Sequence, residues 1–146
     1  MASIKSAGYL NPQTTPNDGC AVFLNDSATI SANPTAADTV DFLLPAGQEL
    51  SVLRFVLPDM DTGGSPAMAG KIGYAPVASD STLTGDDDYF RATAAIGQAA
   101  GLIDCAFAPV MFQEDVKIQI TWTTAAATFA AGSVYMVAGV NSKGAR

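Results

Sequence analysis

The sequence predicts an all-β fold, a single jelly-roll-like β-sandwich preceded by an extended N-terminal arm. Three observations carry that prediction. Short runs alternate apolar with polar side chains at the period of a strand. Gly, Pro, Asn and Asp turns separate these runs. No stretch sustains a helical period, and no internal repeat points to a solenoid. The chain has 146 residues, of which 49% are hydrophobic and 14% charged. That length suffices for one domain with a real core, and so few charges suggest that other chains cover part of the apolar surface. A closed barrel is the competing arrangement.

The expected division is an arm over residues 1–19 and a sandwich over 20–146. The arm, MASIKSAGYLNPQTTPNDG, keeps no period, and Pro12, Pro16 and Asn17-Asp18-Gly19 read as extended or turn chain. Ile4, Tyr9 and Leu10 have no apolar partner within that segment, so they are expected to form an interface. CAVFLN at 20–25 is a short strand, and ATIS in the polar connection after it is a weak one. TVDFLLP at 39–45 sets Val40, Phe42 and Leu44 against Asp41 and Leu43. ELSVLRFVLPD at 49–59 puts Leu50, Val52, Arg54 and Val56 on one face and Leu53, Phe55 and Leu57 on the other. Both faces are mostly apolar, so one enters the core and the other meets a neighbour or a loop. AMAGKIGYAPVAS at 67–79 aligns Met68, Ile72 and Tyr74. VKIQITWT at 116–123 is the cleanest strand, with Val116, Ile118, Ile120 and Trp122 pointing one way. SVYMVAGV at 133–140 closes the domain, with Val134, Met136, Ala138 and Val140 opposed to Tyr135 and Val137. Between these two, TAAATFAAG at 124–132 reads as a short helical turn or a loop.

DDDYFRATAAIGQAAG, residues 86–101, fits more than one structure. As a helix it has an acidic start but only a thin apolar stripe of Phe90 and Ala94, cut short by Gly97 and Gly101. As a strand it sets Tyr89, Arg91 and Thr93 against Phe90 and Ala92, and GQAAGLIDCAFA then supplies a turn and another strand. The strand is the expectation.

The residue inventory argues against catalysis. With no histidine, His-dependent triads and the commonest general base near neutral pH are excluded. Cys20 and Cys105 cannot build a four-thiolate zinc site. Both have apolar neighbours and read as buried free thiols. No phosphate-binding glycine motif is present, and DTGGS at 61–65 has no second copy with which to share a proton, so it reads as a turn. Nothing pairs Glu49, Asp59, Asp61, Glu114 and Asp115 for glycoside cleavage. Calcium is the more serious alternative, because Asp59 and Asp61 in PDMDTGG, and Asp86, Asp87 and Asp88 in GDDDY, offer hard oxygen ligands. Neither run has EF-hand spacing or a closing Glu, so solvated acidic turns, no metal and no cofactor are expected. Trp122 with Tyr74, Tyr89 and Tyr135 could form a sugar platform, but Trp122 shares an alternating apolar face and reads as core. The net charge of −7, from 7 basic against 14 acidic residues, argues against a nucleic-acid binder. Residues 1–20 lack an apolar signal-peptide core and no run is long enough to span a membrane, so the expectation is a chain made in a cytoplasm with no membrane partner.

TAADTVDFLLPAG, GKIGYAP, DDDYFRATAAIGQAAG and VKIQITWTTAAATFAAGSVYMVAGV together resemble a layout in small virion proteins of tailed bacteriophages. There, an x-D-x-Φ-x-L-P-A-G strand precedes a D-x-x-x-F-x-A-A-T-x-x-G-Q-A-G element. A Thr-rich V-x-I-x-I-T strand then leads through A-x-x-x-x-G to the last strand. The match runs loosely over residues 35–140 and includes no catalytic motif. It implies a β-sandwich that decorates or cements the head, bridging subunits of the major capsid protein, self-associating as a homotrimer and residing in a virion assembled in the host cytoplasm. A tail or head-fibre component that binds host glycans, or a neck or head–tail completion protein, is the alternative. The arm is the natural element to reach across a subunit seam.

Overall fold

The computed structural model describes residues 1–10 and 21–143; the side chain of Leu10, and Cys20, lie outside the described residues. The elements in order are β1 (Ser3–Lys5), α1 (Ala7–Leu10), β2 (Ala21–Ile30), β3 (Thr39–Leu44), β4 (Gln48–Leu57), β5 (Ala69–Pro76), β6 (Asp86–Ala95), β7 (Gly101–Asp104), β8 (Val110–Met111), β9 (Val116–Thr124) and β10 (Gly132–Ser142). They form two five-stranded sheets. Sheet A runs β1-β3-β9-β5-β6, and sheet B runs β2-β10-β4-β7 with β8 also on β4. Among the described residues every strand pairing is antiparallel except β1 on β3, which is parallel. After β1 the chain crosses repeatedly between the sheets, so strands adjacent in space are mostly distant in sequence. The result is a β-sandwich whose strand order is consistent with a jelly-roll-like fold, and neither sheet closes into a barrel. No helix among the described residues is long and apolar enough to cross a membrane.

Alternation decides which faces meet. Val40, Phe42 and Leu44 of β3 and Val116, Ile118, Ile120 and Trp122 of β9 line the inner face of sheet A. Val134, Met136, Ala138 and Val140 of β10 and Leu53, Phe55 and Leu57 of β4 answer them from sheet B. Phe42 and Phe55 meet across the interior with ring centroids 5.6 Å apart. Full burial of each such side chain contributes about 1.5–3 kcal/mol before ordering costs.

The faces of β4 require a correction. Leu50 is fully buried and does not share the outward face of Val52, Arg54 and Val56. On β10, Gly139 pairs with Val52 and the next residue, Val140, pairs with Leu50, which leaves Ser51 as an extra residue in β4. That bulge inverts the alternation, and Leu50 joins Leu53, Phe55 and Leu57 inside.

Residues 86–95 are the strand β6, but an irregular one. Ile72 pairs with Arg91 and Tyr74 with Asp86, so β6 spends several more residues than β5 over the same span. The excess is possible because β5 carries Gly73 there: a Cβ at that position would collide with the Asp86 carbonyl oxygen and the Asp87 backbone. β2 is longer than expected, one continuous strand from Ala21 to Ile30. The stretch 124–132 forms no helix: Thr124 ends β9, Gly132 starts β10, and the loop between them carries one isolated bridge, Asp61 to Phe129.

Candidate interface surfaces

The first ten residues are tied to their own domain. Ser3, Ile4 and Lys5 pair with Thr39, Val40 and Asp41 along the edge of sheet A. The Thr39 amide donates to the Ala2 carbonyl at 2.8 Å and the Ser6 amide to the Asp41 carbonyl at 2.9 Å. Three carboxylates complete the attachment. Asp38 accepts from the Ala2 amide and, within its own turn, from the Thr35 amide at 2.7 Å and hydroxyl at 2.9 Å. Asp41 accepts from the Lys5 ammonium, the Ser3 hydroxyl at 2.6 Å and the Gln119 amide at 2.7 Å. Asp26 accepts from the Ser6 hydroxyl and the Gly8 amide at 2.7 Å.

Asp41 is fully buried. Burial alone would push its carboxyl up, but the bonds from Lys5, Ser3 and Gln119 outweigh that and hold it below the usual carboxylate range. Asp38 is lowered chiefly by the amide of Ala2. Ile4 packs half-buried against the core, and the Lys5 ammonium lies 4.2 Å from the centre of the Tyr9 ring. Thus Ile4 and Tyr9 find contacts in their own chain; the Leu10 side chain lies outside the described residues. Only the lone Asp of TVDFLLP hinted at this attachment, and no signal identified its partners.

The acidic residues separate into two kinds. Asp61 is buried, and both its oxygens are taken by backbone amides. Ala67 and Met68 donate to Oδ2 at 2.6 and 3.0 Å, and Thr128 to Oδ1 at 2.9 Å. Led by the Thr128 amide, these bonds lower its carboxyl to about 2. Asp61 therefore pins the 60–68 loop to the 124–131 loop, and its oxygens face amide hydrogens. Asp59 is exposed and caps the Asp61 amide at 3.2 Å. Asp86, Asp87 and Asp88 do converge at the start of β6, with one carboxylate oxygen from each within 4.8 Å of the others. Lys71 pairs with Asp87 at 2.6 Å, and a hydrogen bond with Asp86 pushes Asp88 up. Lys71 and the Asp86–Asp88 hydrogen bond thus offset part of the mutual repulsion within the cluster.

The aromatic groups do not share a platform. Trp122 is inside. Tyr74 packs on Phe112 at 4.8 Å and on Tyr89 at 5.4 Å beside sheet A, whereas Tyr135 belongs to sheet B. Cys105 is a half-buried free thiol; burial pushes it up to about 11.

The outer face of sheet B is apolar and open. Register aligns Ser27, Tyr135, Val56 and Leu102 in one row across four strands. The next row is Asn25, Val137, Arg54 and Asp104, and the one after it Phe23, Gly139 and Val52. Phe23 is 66% exposed, Leu102 58%, Tyr135 53% and Val56 42%. Gly139 lets the Phe23 ring and Val52 close over the strand, since a Cβ there would lie 3.2 Å from the Phe23 ring and 2.9 Å from the Val52 Cβ. The charges of the middle row, Arg54 and Asp104, pair with each other. Sequence alternation anticipated an outward apolar face on β4, but the row became visible only once register placed β7, β4 and β10 side by side.

No protein-family model matches the chain, and no curated protein matches it. Solved structures do. A chain in the capsid of Ralstonia phage GP4 superposes with a TM-score of 0.76 at 20% identity, covering 96% of this chain and 97% of that one. A chain in the capsid asymmetric unit of cyanophage Pam1 superposes with a TM-score of 0.66 at 17% identity, covering 88% and 91%. The chain therefore has, over nearly its whole length, the fold of a chain found in each of two phage capsid structures.

Proposed function

We propose that this chain is a structural protein of a tailed-phage virion, a decoration or cement protein that stabilises the head by bridging subunits of the major capsid protein. The observation that carries the reading is the near end-to-end match in fold to a chain of the GP4 capsid, with almost nothing left over on either side. The residue chemistry agrees with a role in binding. The buried carboxylates Asp41 and Asp61 are engaged in holding the chain's own segments. The protein would be no enzyme, would self-associate, with a homotrimer suited to three-fold capsid sites, and would join a particle assembled in the host cytoplasm.

Mechanically, such a protein resists outward pressure by the interface area it adds across a seam, roughly 1,600 Å² for a standard contact. The N-terminal arm remains the element proposed to reach a neighbour, and it would do so by exchanging its contacts with β3 for equivalent ones there. The test is rebinding to capsids that lack the protein, comparing the full chain with one starting at Asp18 whose thermal transition is followed alongside, because the truncation also removes β1 and two partners of the buried Asp41. Saturable binding at hundreds of copies per particle, weakened by the truncation, is expected. Binding confined to a dozen or fewer copies would move the protein to the neck or tail, and no binding would overturn the virion reading.

A further inference from the structure

We propose that the outer face of sheet B is the surface through which copies of this chain associate with one another. This deepens the reading above by naming the self-contact, and it stands on observations of its own.

The first is composition. Phe23, Val52, Val56, Leu102, Tyr135 and Val137 form one continuous sheet surface, fixed in register by three strand pairings. The four most exposed of them present on the order of 400 Å² of side chain, within the range of the largest apolar patch on a monomer and often functional. With the intervening rows the face approaches the roughly 800 Å² per partner of a standard interface. Tyr, Phe and Arg are residue types enriched in interface cores.

The second is charge. The chain carries −7, so two copies repel unless they meet where no net charge lies. On this face the only charges in the three rows, Arg54 and Asp104, neutralise each other. In the next row of the same sheet Glu49 is matched by Lys143 at 3.7 Å, and the unmatched acidic groups lie elsewhere, among them Asp86 and Asp88 on β6 at the far edge of sheet A and Asp80, Glu114 and Asp115 in loops between strands. A basic partner would be drawn to those acids. A neutral apolar face on an acidic chain suits another copy of the same chain, because the electrostatic cost of self-association is least there.

The rows also suggest how contact forms. Tyr135, Val56 and Leu102 would make the dry centre, and Arg54 and Asp104 could exchange partners between copies, each Arg taking the other copy's Asp.

The experiment is sedimentation of the full chain, wild type against Tyr135→Glu and Leu102→Glu, with Thr93→Glu on exposed β6 as a control that adds the same charge elsewhere. Wild type and Thr93→Glu should sediment as one oligomer. Each face variant should weaken association about 30-fold or more, as a hot-spot loss does, and should keep the thermal transition of a folded domain. Both altered side chains are more than half exposed, so loss of folding is not expected, and Val56→Thr supplies a milder variant that should weaken association without a charge. A wild-type protein that is monomeric at all concentrations would overturn the proposal, as would variants that associate normally. A monomer that still binds capsids, and loses that binding on Tyr135→Glu, would assign the face to the capsid instead, leaving the virion reading intact while refuting this one.

Discussion

Replacing Asp41 by Ala tests whether the N-terminal segment is a fixed part of this fold. Asp41 is fully buried and holds three side chains: Ser3 at 2.6 Å, Gln119 at 2.7 Å and the Lys5 ammonium. Lys117 stands 4.0 Å away. Truncation removes one ion pair and two further hydrogen bonds to a charged acceptor. Breaking a fully buried pair costs about 3–5 kcal/mol, mostly by leaving an uncompensated charge. Here the Lys5 side chain is 30% exposed, so its ammonium can rehydrate and that part of the penalty shrinks. What remains is the lost charge-assisted bonding and a buried Gln119 amide without this acceptor, the latter costing about 1–3 kcal/mol. The expected loss is therefore about 2–4 kcal/mol, or a Tm lower by roughly 5–15 °C for a chain of this size. Urea unfolding should show the midpoint falling at constant slope, and amide exchange should show β1 losing protection first. A double-mutant cycle with Lys5→Met should give a coupling of about 1–2 kcal/mol. A change within about 0.5 kcal/mol of wild type, the scale of ordinary surface substitutions, would refute the docking of β1 through this carboxylate.

Acid should act in the same direction. Asp38, Asp41 and Asp61 all have carboxyls held below their unfolded range, so each contributes stability that is fully present above about pH 4 and is lost as pH falls through the lowered value. Melting followed from pH 6 to pH 2 should decline below pH 4, and Asp61→Asn should flatten the lowest part of that curve, near the value of about 2 for Asp61. Gly73→Ala should be strongly destabilising, because its Cβ would press on the backbone of Asp86 and Asp87; a variant as stable as wild type would refute the close crossing of β5 and β6. Millimolar calcium or EDTA should leave the Tm unchanged within about 1 °C, since Asp61 faces amide hydrogens and Asp87 is paired with Lys71, which leaves too few free oxygens for a cation that takes six or more. A strong rise with calcium would show that the Asp86–Asp88 cluster is a site.

Strands that follow simple alternation were legible. β3, β9 and β10 bury the apolar side chains that their period-2 pattern assigns inward, because parity sorts residues between the two faces of a strand, although on β3 the opposite parity is buried as well, with Asp41 under the N-terminal segment. The pattern fails where the backbone breaks that parity. A single inserted residue at Ser51 carries Leu50 across to the core, and the composition of β4, apolar on both faces, gives no clue to it. β2 hid its central stretch behind Asn25, Asp26 and Ser27, polar residues that a strand accommodates here because Asp26 is bonded by Ser6 and Gly8. β1 is three residues long, too short for any period, and its attachment depends on carboxylates distant in sequence. The acidic turn at 59–61 was read as solvated, yet Asp61 is buried because amides of two separate loops converge on it. Alternation reports burial by face; it carries no information about which remote amide a carboxylate will meet.

The proposed role is binding to the head of a virion. The most direct measurement is electron microscopy of the intact particle, with the protein located in the density and its copies counted. The account predicts hundreds of copies on the outside of the head, each bridging neighbouring capsid subunits. A dozen or fewer copies at the neck or tail, or no density for the protein on the particle, would contradict it.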